Sequence, residues 1–217
     1  KQDEESGNKK LWATGFHFGD WLALDGDEGG FEGGTEKEFI ASAYYFYSTT
    51  ILAKTCEVLG KIELFEEYTK LAEEIRKAII FEYYAESGRL GLKNQTAYIL
   101  SLFMDIAPEY RERTANDFAK LLKKDKNHLK TGFIGTPYIC RALSDNGYNE
   151  LAYTLLLNKD LPSWLYAVNM GATTVWERWN SVMPDGKMNP AGMNSLNHYA
   201  YGAVAEWMYR NMAGINE

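Results

Sequence analysis

Residues 35–60 read TEKEFIASAYYFYSTTILAKTCEVLG, and residues 62–84 read IELFEEYTKLAEEIRKAIIFEYY. In the first stretch Phe39, Ile40, Ala43, Tyr44, Tyr47, Ile51, Val58 and Leu59 recur at the spacing of one face of an α-helix. Thr35, with Glu38 three positions later, reads as a capping box, and Gly60 reads as the stop. The second stretch repeats the period with Leu64, Phe65, Tyr68, Leu71, Ala72, Ile75 and Ile79. Two such helices with a short turn between them form an antiparallel hairpin.

The pattern continues along the chain. Gly88 and Gly91 mark a turn, Gln95–Phe103 is a short helix, and Pro108–Leu122 is another with proline in its first turn. In TGFIGTPYICRAL (131–143), Thr136 and Pro137 read as N-cap and first residue of a helix that stops near Asn146-Gly147. Glu150–Leu157 follows, and the last helix is expected over Ser195–Met212, ending at Gly214. No stretch alternates as a strand would, so the fold is all-α. It is built of αα-hairpins set in a ring or stack and joined by long loops rich in Gly and Trp. The absence of a fixed-period repeat argues against a regular solenoid. Residues 1–14 read as a polar, disordered tail and 15–217 as the helical domain. The stretch KQDEESGNKK lacks the apolar core of a signal peptide and starts without Met, as in a processed chain or an excised piece.

Composition narrows the function. A net charge of −7 and a pI near 5.1 argue against nucleic acid or an anionic membrane as partner. No apolar run approaches the ~20 residues of a membrane-spanning helix. Cys56 and Cys140 have no metal-ligand spacing and read as buried free thiols. Asp25, Asp27, Gly30 and Glu36 fall on positions 1, 3, 6 and 12 of a calcium loop. Gly29 in a ligand position, Glu32 in an apolar one and no preceding helix favour a plain acidic loop, so neither metal nor cofactor is expected.

The aromatic residues point elsewhere. Trp21, Trp164, Trp176 and Trp179 sit in Gly/Pro/Asn-rich stretches, where rings more often serve recognition than core packing. Asp20 beside Trp21 is a pairing suited to a sugar, the carboxylate taking hydroxyls and the indole the C–H face. In GATTVWERWN (171–180), β-branched Thr173, Thr174 and Val175 favour an extended backbone. Extension would put Val175, Glu177 and Trp179 on one face and Trp176 and Arg178 on the other. Glu177 is then a candidate acid or base, or half of a structural Glu–Arg pair. Asn197 and His198 cluster with Met193 and Asn194 where a loop enters the last helix.

GATTVWERWN, the stretch from Met193 to Ile215, TGFIGTPYICRAL and GDWLAL together resemble the bacterial α-L-rhamnosidases of glycoside hydrolase family 78. The likeness runs from about Gly15 to Ile215 and is most specific from Thr131 onward. It implies a catalytic domain that is an (α/α)6 barrel with its site in loops at one end. It implies inverting hydrolysis of terminal α-L-rhamnosyl linkages by one acid and one base. Glu177 falls on the family's general base, His198 on a sugar-binding histidine, and Gly19, Asp20 and Trp21 on a sugar-subsite motif. Trp176, Trp179 and Asn197 would line the same pocket, with Arg178 fixing the loop or the carboxylate. The implied partner is a rhamnose-containing glycoside or polysaccharide. The family's general acid lies upstream of Gly-Asp-Trp, and residues 1–14 do not match it. The chain therefore reads as the later part of the barrel, weak or inactive alone and with apolar helix faces open to self-association. Two readings stay open beside this one: another α/α-barrel sugar enzyme, acting on uronic acids, and a non-catalytic carbohydrate-binding fragment.

Overall fold

The structure, a computed structural model, describes residues 10–216. Two helices of 22 residues, α1 (Lys37–Val58) and α2 (Ile62–Tyr83), pack along each other as a hairpin. Next, α3 (Gln95–Phe103) pairs with α4 (Arg111–Lys124), which a 3-10 turn at Pro108–Tyr110 introduces. Then α5 (Ile139–Ser144) pairs with α6 (Asn149–Leu157), and α7 (Trp164–Asn169) packs on α6. The last helix is composite: a 3-10 turn at Ala200–Ala203, α8 (Val204–Trp207) and a π-turn at Met208–Met212. Among the described residues there is no strand, only isolated bridges.

Composition sets the layering. Residues of α3 are apolar or small on every side, and all but Phe103 are buried, as a helix without a polar face requires. By contrast α2 buries only Ala72, Ile75 and Ile79, and α4 only one stripe around Phe118. α1 touches α3 and α3 touches α5, so these three form an inner row, each backed by its hairpin partner. One core runs from Phe39 and Ile75 through Ile99 and Phe118 to Ile139, Leu155 and Trp207. Cys56 and Cys140 are free and buried, and burial pushes the Cys140 thiol up to about 12. At opposite ends of the first hairpin, Val58 and Phe81 are 86% and 88% exposed.

Several local expectations fail, each for a tertiary reason. Thr35 caps nothing: it is buried with its hydroxyl unpartnered, and α1 starts after Glu36 without a side-chain cap. Thr136 bonds the Thr131 hydroxyl at 2.7 Å instead of capping, and α5 begins three residues later. Trp164 opens a helix rather than lying in a loop, because Ser163 Oγ accepts from the Tyr166 N–H at 3.0 Å. Residues 1–9 of the expected tail lie outside the described residues. Residues 10–14 are not free: Leu11 is buried and the Trp12 N–H donates to Ser42 Oγ at 3.0 Å.

Asp20 ties the long loop to the helices. Its carboxylate is wholly enclosed. Oδ1 accepts the N–H groups of Ile134 at 2.7 Å and Gly135 at 3.3 Å. Oδ2 accepts the Gly132 N–H at 3.0 Å and the Thr96 hydroxyl at the start of α3. Desolvation pushes its pKa up, while the four donors pull the other way. The fit is close: a Cβ on Gly132 would run into the carbonyl of Trp21. The expectation that Asp20 binds sugar is therefore corrected, since no surface of it meets solvent. Asp20→Asn would set an amide donor against backbone donors whichever way it turned. It should lower unfolding free energy by roughly 3 kcal/mol, measured by urea denaturation.

Candidate active site

Trp176 and Trp179 are 6% and 4% exposed, so both indoles turn inward. They are three residues apart in a bent stretch that runs into a turn, which the Ser181 N–H closes on the Arg178 carbonyl at 3.2 Å. The expected strand-like alternation is absent. A turn anchored by two buried indoles pushes the residues between them outward, and Glu177 and Arg178 are half-exposed. Glu177 therefore stands apart from the indoles' cleft, whereas Arg178 borders it beside them.

Trp179 is closely packed. Tyr201 stacks on it at 4.0 Å and 6°, Trp164 meets it edge-on at 5.3 Å, and its N–H donates to the Thr131 carbonyl. With Trp164, Trp176 and Val175 it borders a cleft of about 270 Å³. Trp21, Glu177, Asn197 and His198 do not line that cleft. The two indoles are thus packed into the wall of a cleft that lies apart from Glu177, Asn197 and His198.

Glu177 is held from the opposite segment. Its N–H donates to the Ser195 carbonyl at 2.8 Å, and the Ser195 N–H donates to Oε2 at 3.0 Å. Oε1 has no hydrogen-bond partner among the described residues. Two further bonds join the segments: His198 N–H to the Val175 carbonyl at 2.8 Å, and the Thr174 hydroxyl to the Leu196 carbonyl. This pairing holds 195–198 out of helix, which is why the last helix starts at Ala200 and not at Ser195 as expected.

His198 stacks between Phe133 at 4.9 Å and Tyr199 at 5.4 Å. Its Nδ1 accepts the Ala200 N–H at 3.3 Å, which assigns the ring proton of the neutral imidazole to Nε2. Asn197 is exposed, and its side-chain amide enters no hydrogen bond among the described residues. Half-buried Trp21 lies between Phe18 at 5.2 Å and Phe31 at 5.4 Å. The pairing brings Glu177, Asn197 and His198 onto adjoining segments, while Trp21 reaches them through Phe31 and Arg178. No ion pair among the described residues involves Glu177 or Arg178, so Arg178 fixes the loop and not the carboxylate. In the acidic loop, Asp25 gives both oxygens to N–H donors, from Gly34 and Asn94. Among the described residues no three His, Cys, Asp or Glu side chains converge.

The sequence reading passed over Ser195, Phe133 and Phe31. Ser195 acts through its backbone, which residue type does not signal. Phe133 and Phe31 are rings in glycine-rich loops, the same cue that marked Trp21.

Residues 1–212 match the bacterial α-L-rhamnosidase six-hairpin glycosidase domain. The chain belongs to this family. It is similar to α-L-rhamnosidases of Streptomyces avermitilis, 43% identical over 199 residues, and Formosa agariphila, 41% identical over 201. Each match covers 91% of this chain but 18% and 22% of the relative, so the chain spans about a fifth of their length. The solved S. avermitilis α-L-rhamnosidase complexed with L-rhamnose aligns at a TM-score of 0.85 and 40% identity, over 93% of this chain and 19% of that one. The native Aspergillus terreus enzyme aligns at 0.86 and 32% identity, over 90% of this chain and 23% of that one. The rhamnosidase-family hairpins described above are thus part of an (α/α)6 barrel. Trp179→Ala should cost about 3–5 kcal/mol of stability, as loss of a large packed ring does. Denaturant titration should show that loss, with little change for Trp21→Ala.

Proposed function

We propose that this chain carries the general-base side of an inverting α-L-rhamnosidase site. Glu177 takes a proton from the water that attacks the anomeric carbon of a terminal α-L-rhamnosyl residue. What supports this most directly is the grip of Ser195 on Glu177. One carboxylate oxygen is oriented by a backbone N–H, and the other remains for a proton. His198, through Nε2–H, and the Asn197 amide would bond sugar hydroxyls. Trp21 offers an apolar face to the ring's C–H groups or the 6-methyl. Trp176 and Trp179 serve by anchoring the turn, and Asp20 by holding its loop. That the relatives are α-L-rhamnosidases, one of them solved with L-rhamnose, supports the substrate class.

An inverting enzyme also needs an acid whose carboxyl stands about 6.5–9.5 Å from the base. The family places it before Gly-Asp-Trp, and we assign it to no residue among 10–216. General acid catalysis contributes roughly 10²–10⁴-fold, so these residues alone should turn over natural rhamnosides slowly. Dinitrophenyl α-L-rhamnoside has a leaving group that needs little acid assistance. Its hydrolysis should be measurable, and Glu177→Gln should lower it by roughly 10²-fold or more. Equal release by both proteins would remove Glu177 from the base role. L-rhamnose binding to both, with release from neither, would favour a carbohydrate-binding role instead.

A further inference from the structure

We infer that Arg178 is a positioning residue that sets the placement of Trp21 relative to Glu177, which rests on reading Glu177 as the base. Its guanidinium serves three neighbours at once. Nε donates to Asn180 Oδ1 at 3.1 Å, Nη1 donates to the Gly192 carbonyl at 3.0 Å, and the group lies 5.9 Å over the Phe31 ring. Phe31 in turn packs on Trp21, which carries the apolar face. Gly192 is three residues ahead of Ser195, whose N–H orients Glu177.

The loop between Asn180 and Ser195 is closed internally by amides. Buried Asn189 donates through its N–H to the Ser181 carbonyl at 2.9 Å and through Nδ2 to the Asn180 carbonyl at 3.3 Å. The Asn194 amide donates to the Asn189 carbonyl at 2.6 Å. These bonds shape the loop but do not reach the 20–33 loop that bears Trp21. Arg178 does, through the face of Phe31.

A merely stabilising role fits poorly. The guanidinium is drawn partly out of water, burial pulls its pKa down more than the nearby charge of Glu177 pushes it up, and it forms no ion pair among the described residues. What it has is a fork that meets two oxygens while its plane lies over a ring. Lysine, with one compact ammonium, cannot make all three contacts together.

The test compares the chain with Arg178→Lys, Arg178→Met, Glu177→Gln and, as a control on the same loop, Lys187→Met. Two quantities are read: hydrogen exchange of the Ser195 amide by NMR, and kcat and KM for dinitrophenyl α-L-rhamnoside. We expect Arg178→Met to speed Ser195 exchange and lower kcat by roughly 10- to 100-fold, a misplacement effect, with a smaller change in KM. Arg178→Lys should recover part of both, and Lys187→Met should match the wild type. Unchanged Ser195 exchange and kcat in Arg178→Met would overturn the positioning role while leaving Glu177 as base. If Glu177→Gln were as active as the wild type, the base reading would fall. If no protein released dinitrophenol, exchange alone would decide. Faster exchange in Arg178→Met than in Lys187→Met would support the coupling, and equal exchange would end it.

Discussion

One carboxylate without access to water governs the geometry around the site. Burying a charge is costly unless donors surround it, and Asp20 is met by three backbone N–H groups and the Thr96 hydroxyl. Those donors come from the 131–135 loop and from α3, elements more than 70 positions away in sequence. The loop that bears Trp21 is therefore fastened to the inner helix row. The same 131–135 segment supplies Phe133 beneath His198 and the Thr131 carbonyl to Trp179. Three loops that could each wander are indexed to one another at a single buried point.

A second device orients the segment that bears Glu177. Glu177 and Arg178 lie between two tryptophans, which suggests charges submerged among indoles. The bend at 177–178 resolves the conflict, because it buries Trp176 and Trp179 while leaving the residues between them half-exposed. Apolar packing thus aims a charged pair outward, and no strong local propensity is needed. The backbone pairing of 174–177 with 195–198 then fixes Glu177 from beyond the turn.

Helices were legible where period and composition agreed. Ile62 to Tyr83 and Gln95 to Phe103 were readable almost to the residue, because their faces are unambiguous. Caps were not. Thr35 and Thr136 have the right side chain in the right place, yet tertiary burial and the Thr131 hydroxyl claim them first. Glu177 and His198 stand out in sequence through the company they keep, and the structure sets them on adjoining, hydrogen-bonded segments. Asp20 stands out too, but its enclosed carboxylate ties loops together, since residue type does not tell a group that touches ligand from one that holds the wall. Ser195 could not be found, because it meets Glu177 through main-chain atoms alone.

That last point bears on how such a site can diversify. Glu177 is oriented by the N–H and carbonyl of residue 195, groups that every amino acid except proline supplies in full. The side chains at 195, 196 and 197 are exposed. They can be rewritten without disturbing the carboxylate they flank. The rim beside the proposed base is thus a variable text on a constant frame, where side chains can change while the placement of Glu177 stays fixed.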